Sequence, residues 1–290
     1  MILNKLKNYI KLIRVKHYLK NFLIFLPLVF SGNLFSFECF IKCLGGWIAF
    51  SFTCSIVYIL NDIRDREKDK NHPKKKYRPI ASGEVSLKEA FYIIFVLALL
   101  VIIFIYLVNL NFKGIVLLIV YLIINIGYSF GLKNIALVDL IILVSGFVIR
   151  VLFGGTIIGV EISNWLNLTV LTIAFYLALG KRRNELVNSK KNTRSVLKYY
   201  TKDFLDKNMY MCLSLGIIFY SLWTVDINII EKTNNYLIWT VAVVIIICMR
   251  YSMIIESDSD GDPVEVVMAD KMLLLLIIGY AIALIGILYL

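Results

Sequence analysis

An all-α integral membrane protein of about nine transmembrane helices is what the sequence predicts, and three observations predict it. Of 290 residues, 60% are hydrophobic and only 18% charged, whereas soluble domains run at roughly half apolar and a quarter charged. The mean hydropathy is +0.80. Runs such as Ala90 to Leu110, Ile135 to Arg150 and Met272 to Leu290 lack the polar face that a soluble helix shows every few residues. Lipid leaves backbone groups no partners but their own segment, so these runs are helices and not open strands.

Taken in order, the spans are expected at 20–35, 40–61, 88–110, 113–130, 136–158, 164–181, 207–228, 234–254 and 271–290. The first is short for a crossing and contains Pro27, so it is tilted or broken. Basic residues set the orientation. With the N-terminus inside, the first twenty residues carry six Lys and Arg, the 62–88 loop nine and the 181–207 loop nine. Lys133, Arg250 and Lys271 fall on the same side, and only Lys42, Lys113, Arg150 and Lys232 lie elsewhere. The long polar loops therefore face the cytoplasm, and the chain reads as one membrane domain over 1–290.

The net charge of +11 lies between spans and forms no soluble basic face, which excludes a nucleic-acid partner. No small-residue cleavage site follows the basic N-terminal run, so it reads as mature protein. Cys39, Cys43, Cys54, Cys212 and Cys248 stand in or beside apolar runs without a CxxC and read as small core hydrophobes.

Chemistry concentrates where the second span ends, in Asn61-Asp62-Ile63-Arg64-Asp65-Arg66-Glu67-Lys68-Asp69. If the helix continues, Asn61, Asp65 and Asp69 share one face. Oxygen ligands stacked this way suit Mg²⁺, which keeps water and substrate phosphates among its ligands. Asp62 stands on the adjacent face. Lys74, Lys75, Lys76 and Arg78 follow, then Pro79-Ile80-Ala81-Ser82-Gly83. Those cations suit the rest of an anionic substrate. A solvated loop laced with i,i+4 ion pairs is the alternative reading.

The NDxxDxxxD stretch Asn61 to Asp69, with His72-Pro73 and Arg78 to Gly83, resembles the first signature of UbiA-type intramembrane prenyltransferases. The resemblance implies about nine helices around a central cavity with cytoplasmic loops, in line with the span count. Aromatic prenyltransferases of that superfamily carry a second acidic motif after the sixth helix. Here the segment is Leu179-Gly180-Lys181-Arg182-Arg183-Asn184-Glu185-Leu186, which suits an extra phosphate better than a second metal pair. Arg14 to Asn21 is similar to the RPxxWxKN opening of the polyprenyl-phosphate phosphoribosyltransferase branch, with Val15 and Tyr18 in place of its Pro and Trp. Ser145 to Arg150 with Gly154-Gly155, Arg250-Tyr251, Gly261 to Glu265 and Asp270-Lys271 look like later parts of that branch.

That resemblance implies transfer of 5-phosphoribosyl from phosphoribosyl pyrophosphate to a polyprenyl phosphate in the bilayer, releasing pyrophosphate. Mg²⁺ on Asn61, Asp65 and Asp69, with Asp62 helping through water, is expected to neutralise the leaving diphosphate. Lys181 and Arg182 are expected to hold another part of the donor, with Glu185 pairing them or touching metal. Lys20, Arg78, Tyr128 and Lys133 are further substrate-binding candidates. An oxocarbenium-like transition state and an acceptor already anionic make a general base unnecessary.

Arg150, a further substrate-binding candidate, lies in the fifth span, so it faces either the cavity or a partner, or snorkels outward. Asp139, about 16 Å away along the axis, is expected to orient Lys133 or a substrate-facing cation. Asp258, Asp260 and Asp262 match the opening of a calcium loop, but no Glu stands at its twelfth position, and a solvated loop covering the cavity, with a lid role open to it, is the better reading. Two other functions compete: an aromatic polyprenyltransferase, disfavoured by the missing second acidic motif, and a transporter, for which repeats and broken midplane helices are not evident.

Overall fold

The computed structural model describes residues 2–73, 75–188, 194–233, 235–257 and 261–290, and every regular element among them is helical. In chain order the α-helices are α1 (Ile2–Ile13), α2 (Leu26–Phe30), α3 (Phe37–Arg64), α4 (Arg66–Lys70), α5 (Leu87–Leu107), α6 (Phe112–Ser129) and α7 (Val138–Ile158). They continue as α8 (Asn164–Asn188), α9 (Lys202–Thr224), α10 (Ile227–Thr233), α11 (Thr240–Glu256), α12 (Pro263–Ala269) and α13 (Lys271–Tyr289). An eleven-residue 3-10 helix, Val15–Phe25, joins α1 to α2. Two compact units result, the first Met1–Leu28, Asn33–Leu132 and Ile149–Val160, the second Val29–Gly32, Lys133–Val148 and Glu161–Leu290.

In the first unit α3 is the interior helix, packed by α1, the 3-10 helix, α5 and α6. Its small residues allow that crowding, since lipid-phase helices approach through small side chains. A Cβ on Gly45 would lie 2.3 Å from Val108 Cγ1, and one on Gly154 of α7 only 2.0 Å from the Ile24 carbonyl oxygen. Phe50 and Phe153 pack ring to ring at 5.3 Å within the same core. By contrast only 11% of the apolar window of α5 is buried, against 61% of that of α3. Phe91, Tyr92, Phe95 and Ile102 stand exposed on α5, a surface suited to lipid tails rather than water.

Local signals start these helices. Ser86 and Glu89 form a reciprocal capping box at α5, satisfying two amides that the helix itself leaves orphaned. Asn111 accepts from Gly114 N at 2.9 Å to open α6. In the second unit Asp270 accepts from Leu273 N at 2.6 Å and opens α13. There α8 pairs with α9, and Leu179, Leu205, Met209, Tyr251, Ile255 and Leu273 fill the core.

Six of the described helices are long and apolar enough to cross a membrane: α3, α5, α6, α7, α11 with the preceding turn from Tyr236, and α13. Three of the nine or so expected spans are not among these six. The 20–35 segment is not a continuous α-helix; it divides between the 3-10 helix and five-residue α2. Pro27 sits in the first turn of α2, where its missing N–H costs nothing. α8 and α9 have the length, at 25 and 23 residues, but fall short in apolarity. Asn164, Asn167, Thr169 and Thr172 dilute one, and Lys207, Asn208 and Ser214 the other.

Candidate active site

The acidic ridge of the first unit begins in the last turn of α3. Asp65 ends that helix at φ −85° and ψ 6°, and α4 restarts at Arg66. The bend does not break the register. Asp65 N donates to Asn61 O at 2.9 Å and Asp69 N to Asp65 O at 2.8 Å, so the i, i+4 spacing is kept and Asn61, Asp65 and Asp69 stack. Asp62, roughly 100° around the helix from Asn61, lies about 20° from Asp69, seven residues on.

Arginines close the ridge. Asp62 and Asp69 are each only 3% exposed, and a carboxylate so buried needs charged partners. Arg14 Nη2 donates to Asp62 Oδ1 at 2.6 Å. Arg78 Nη1 donates to the same oxygen at 3.1 Å and to Asp69 Oδ2 at 2.7 Å. Arg14 stands at the left-handed φ of 55°, uncommon for a side-chain-bearing residue, with its guanidinium 4.7 Å from the Tyr58 ring centroid. Arg78 is held by a compact turn: its N–H bonds Lys75 O, its carbonyl accepts from Ser82 N, and Ile80 packs at 1% exposure beneath. Lys11 Nζ ties α1 to this turn through Tyr77 O at 2.7 Å. Lys74 lies outside the described residues.

Among the described residues no three His, Cys, Asp or Glu side chains converge as a closed metal cage. The ridge instead offers hard oxygen donors on one helical face. That fits a Mg²⁺ that takes one or two carboxylates and fills its remaining positions with water and phosphate oxygens.

Arg150 does not snorkel. It is 7% exposed, with Nε donating to Asn21 Oδ1 at 2.7 Å and Nη2 reaching Tyr121 Oη at 3.4 Å. Its guanidinium lies 5.0 Å from the Phe50 ring centroid, and Asn21 donates onward to Ser51 at 2.8 Å. These bonds pin the 3-10 helix to α3 and α7.

In the second unit three consecutive residues of α8 carry cations. Lys181 Nζ donates to Asp262 Oδ2 at 3.1 Å. Arg182, fully buried, donates to Asp139 Oδ2 at 2.6 Å and to Glu185 Oε2 at 2.8 Å. Arg183 Nε donates to Asp206 Oδ1 at 2.6 Å. Asp139, also fully buried, accepts from Tyr200 Oη at 2.6 Å, and Tyr200 Oη in turn accepts from the amide of Leu137, whose φ is 66°. Burial, reinforced by that bond to Asp139, pushes the Tyr200 phenol up to about 12. Asp139 thus holds Arg182, a buried cation rather than a substrate-facing one, and Glu185 also accepts from Arg182. Lys20, Tyr128 and Lys133 are half-buried, in the 3-10 helix, the last turn of α6 and the turn Leu132–Asn134.

The structure therefore gathers Asn61, Asp62, Asp65, Asp69 and Arg78 in one cluster and Lys181, Arg182 and Glu185 in another. Sequence reading missed Arg14 as a counterion, and Asp206 and Tyr200 altogether. Of the acidic 258–262 segment, Asp258 and Asp260 lie outside the described residues. Asp262 caps α12 through Val264 N.

Comparison with known proteins gives concordant results. The model of the UbiA prenyltransferase family matches residues 22–277. Decaprenyl-phosphate phosphoribosyltransferase of Corynebacterium glutamicum is 29% identical over 97% of this chain and 86% of its own. The enzyme of that name from Mycolicibacterium smegmatis is 28% identical over 96% and 91%. Among solved structures, a UbiA homolog from Archaeoglobus fulgidus bound to DMAPP and Mg²⁺ superposes with a TM-score of 0.69 at 19% identity, covering 97% of this chain and all of that one.

Proposed function

The chain belongs to the UbiA prenyltransferase family, and from that premise we propose that it transfers 5-phosphoribosyl from phosphoribosyl pyrophosphate to a polyprenyl phosphate. It is a multi-pass membrane transferase. The proposal places it in the cytoplasmic membrane as one catalytic domain, with the N-terminus and the 62–88 and 181–207 loops in the cytoplasm.

The observation that carries this reading is the charge of segment 181–185. Where a second acidic motif would hold a second metal, Lys181, Arg182 and Arg183 each face a carboxylate. Of the three, Lys181 keeps 27% of its side chain exposed, and an accessible ammonium suits a phosphate, not a divalent metal. Similarity over nearly the whole length to two decaprenyl-phosphate phosphoribosyltransferases supports the same choice.

Asn61, Asp65 and Asp69 would hold Mg²⁺, which when bound supplies neutralisation of the departing diphosphate. Arg78, 25% exposed along its side chain, is the cation of that cluster placed to meet phosphate oxygens. In the second unit Lys181, at 27%, is the anion-binding residue, and wholly buried Arg182 positions it by fixing this turn of α8. In the reaction the C1–O bond to pyrophosphate breaks with its electron pair leaving on pyrophosphate. An oxygen of the acceptor phosphate forms the new C1–O bond. The acceptor is already anionic, so no protein base is required, and a single displacement inverts C1.

The test is an assay of purified protein in detergent with Mg²⁺, labelled phosphoribosyl pyrophosphate and polyprenyl phosphate, beside a tube with an isoprenyl diphosphate and 4-hydroxybenzoate. Labelled lipid is expected in the first alone. Product only in the second would replace this reading, as would a phosphoribosyl lipid retaining the donor's anomeric configuration.

A further inference from the structure

We propose that Asp62 is a positioning residue that tethers Arg78, and that Arg78 is the cation which holds Asp69 until metal and donor replace it there. The proposal rests on the phosphoribosyl-transfer reading and deepens it by separating the four oxygen-bearing residues of the motif into two jobs.

Three observations carry it. First, helix register brings Asp62 and Asp69 to the same side. The amide-to-carbonyl bonds Asp65 to Asn61 and Asp69 to Asp65 carry the winding through the bend, so Asp62, seven residues before Asp69, lies about 20° from it around the axis. Second, Asp62 is committed. A single oxygen, Oδ1, accepts from Arg14 at 2.6 Å and Arg78 at 3.1 Å, at 3% exposure. Third, one nitrogen of Arg78 serves both acids, Nη1 lying 3.1 Å from Asp62 and 2.7 Å from Asp69.

The consequence is an exchange. A cation binding Asp69 competes with Arg78 for the same carboxylate. Arg78 released from Asp69 keeps its bond to Asp62, so it stays beside the ridge with donor capacity turned to the incoming phosphate. A guanidinium suits that duty because its five N–H groups serve two acceptors at once, which an ammonium does with less geometric control. Arg14 holds Asp62 from the other side, and its own backbone is fixed through the 3-10 helix, where Asn21 bonds Ser51 and Arg150.

The exchange fixes the sign of an effect that a purely structural role would reverse. Mn²⁺ binding to the full chain in detergent, without donor, is measured by electron paramagnetic resonance for wild type, Arg78→Gln, Arg78→Lys and Asp62→Asn. Arg78→Gln removes the competitor, so Mn²⁺ binds roughly tenfold more tightly, the worth of one charge-assisted contact. The same variant raises the KM for the donor by a similar factor, and Arg78→Lys falls between. Asp62→Asn leaves Mn²⁺ affinity within about twofold and raises the donor KM, since the tether and not a ligand is lost. Weaker Mn²⁺ binding in Arg78→Gln, or a loss of tenfold or more in Asp62→Asn, overturns the proposal while leaving the transfer reading standing. Should Asp62→Asn fail to fold, the two Arg78 variants decide the matter alone. Wild type that binds no Mn²⁺ while still making product removes the metal assignment and this exchange together.

Discussion

The acidic ridge of the first unit and the basic turn of the second solve one problem in opposite ways. On the ridge, residues spaced by four collect charge on one face, and the counterions come from elsewhere: Arg14 from 48 residues away and Arg78 from 16. On α8, residues spaced by one send charge in three directions. Lys181, Arg182 and Arg183 find Asp262, Asp139 and Asp206, three carboxylates on separate segments. Adjacent helical positions diverge by about 100°, so such a run cannot converge on one ligand. What the contrast teaches is that the KRR run is one accessible cation and two struts. Arg182 and Arg183 are 0% and 8% exposed along the side chain, Lys181 27%. On the proposed reading the ridge gathers a ligand, while Arg182 and Arg183 brace their own unit.

The sharpest break of that contrast is Asp65→Asn. A convergent ridge loses its function with one member, so labelled lipid formation falls on the order of 10²–10³-fold, the usual weight of one group that stabilises developing charge. Melting in detergent is unchanged, because Asp65 is half-exposed at the helix bend. Exhaustive chelation of wild type gives the same loss, reversed by added Mg²⁺. Activity that survives either treatment makes the ridge a structural turn.

Arg182→Ala tests the strut. It leaves Asp139, at 0% exposure, without its guanidinium, and unpairing a buried charge costs roughly 3–5 kcal/mol. The expected result is a protein that melts well below wild type. Arg183→Ala costs less, because Asp206 is 27% exposed and water takes over part of the pairing. Equal stability of all three proteins would erase the distinction between cation and strut. Lys181→Met reads the other side: melting lowered by less than in Arg182→Ala, since Asp262 is 14% exposed, with the donor KM raised roughly tenfold for one lost charge-assisted contact.

The parts of this architecture legible in the sequence are those set by local periodicity. The 136–158 expectation meets α7 at Val138–Ile158, and 271–290 meets α13 at Lys271–Tyr289. The stacking of Asn61, Asp65 and Asp69 also followed from spacing alone, because the register survives the bend. The 20–35 segment was misread because an apolar run does not distinguish α from 3-10 winding. The segment also makes a tertiary contact that its own spacing does not announce, the Ile24 carbonyl seated where a Cβ of Gly154 would be. The counterions were hidden for the same reason. Nothing near Asp139 in sequence announces Arg182, which is 43 residues on, and nothing near Asp62 announces Arg14.

The smallest effect comes from an exposed pair in the second unit, and it isolates burial as the variable. Arg250 Nη2 donates to Asp270 Oδ2 at 2.6 Å, as short as the Arg182–Asp139 bond, but side-chain exposure is 31% and 19%. The Arg250 guanidinium, with the Leu273 amide, holds the Asp270 carboxyl below its ordinary 3.8. A carboxyl depressed by folding adds stability above the unfolded value and loses it as pH falls through the folded one. Wild type and Arg250→Gln are therefore expected to melt slightly apart above about pH 4, with wild type higher, and to converge in more acidic solution once Asp270 is protonated. Added salt should shrink the gap, since exposed charges are screened. A gap as large as that of Arg182→Ala, or one indifferent to pH, would mean that bond length rather than burial governs these pairs, and the division of α8 into one cation and two struts would lose its physical basis.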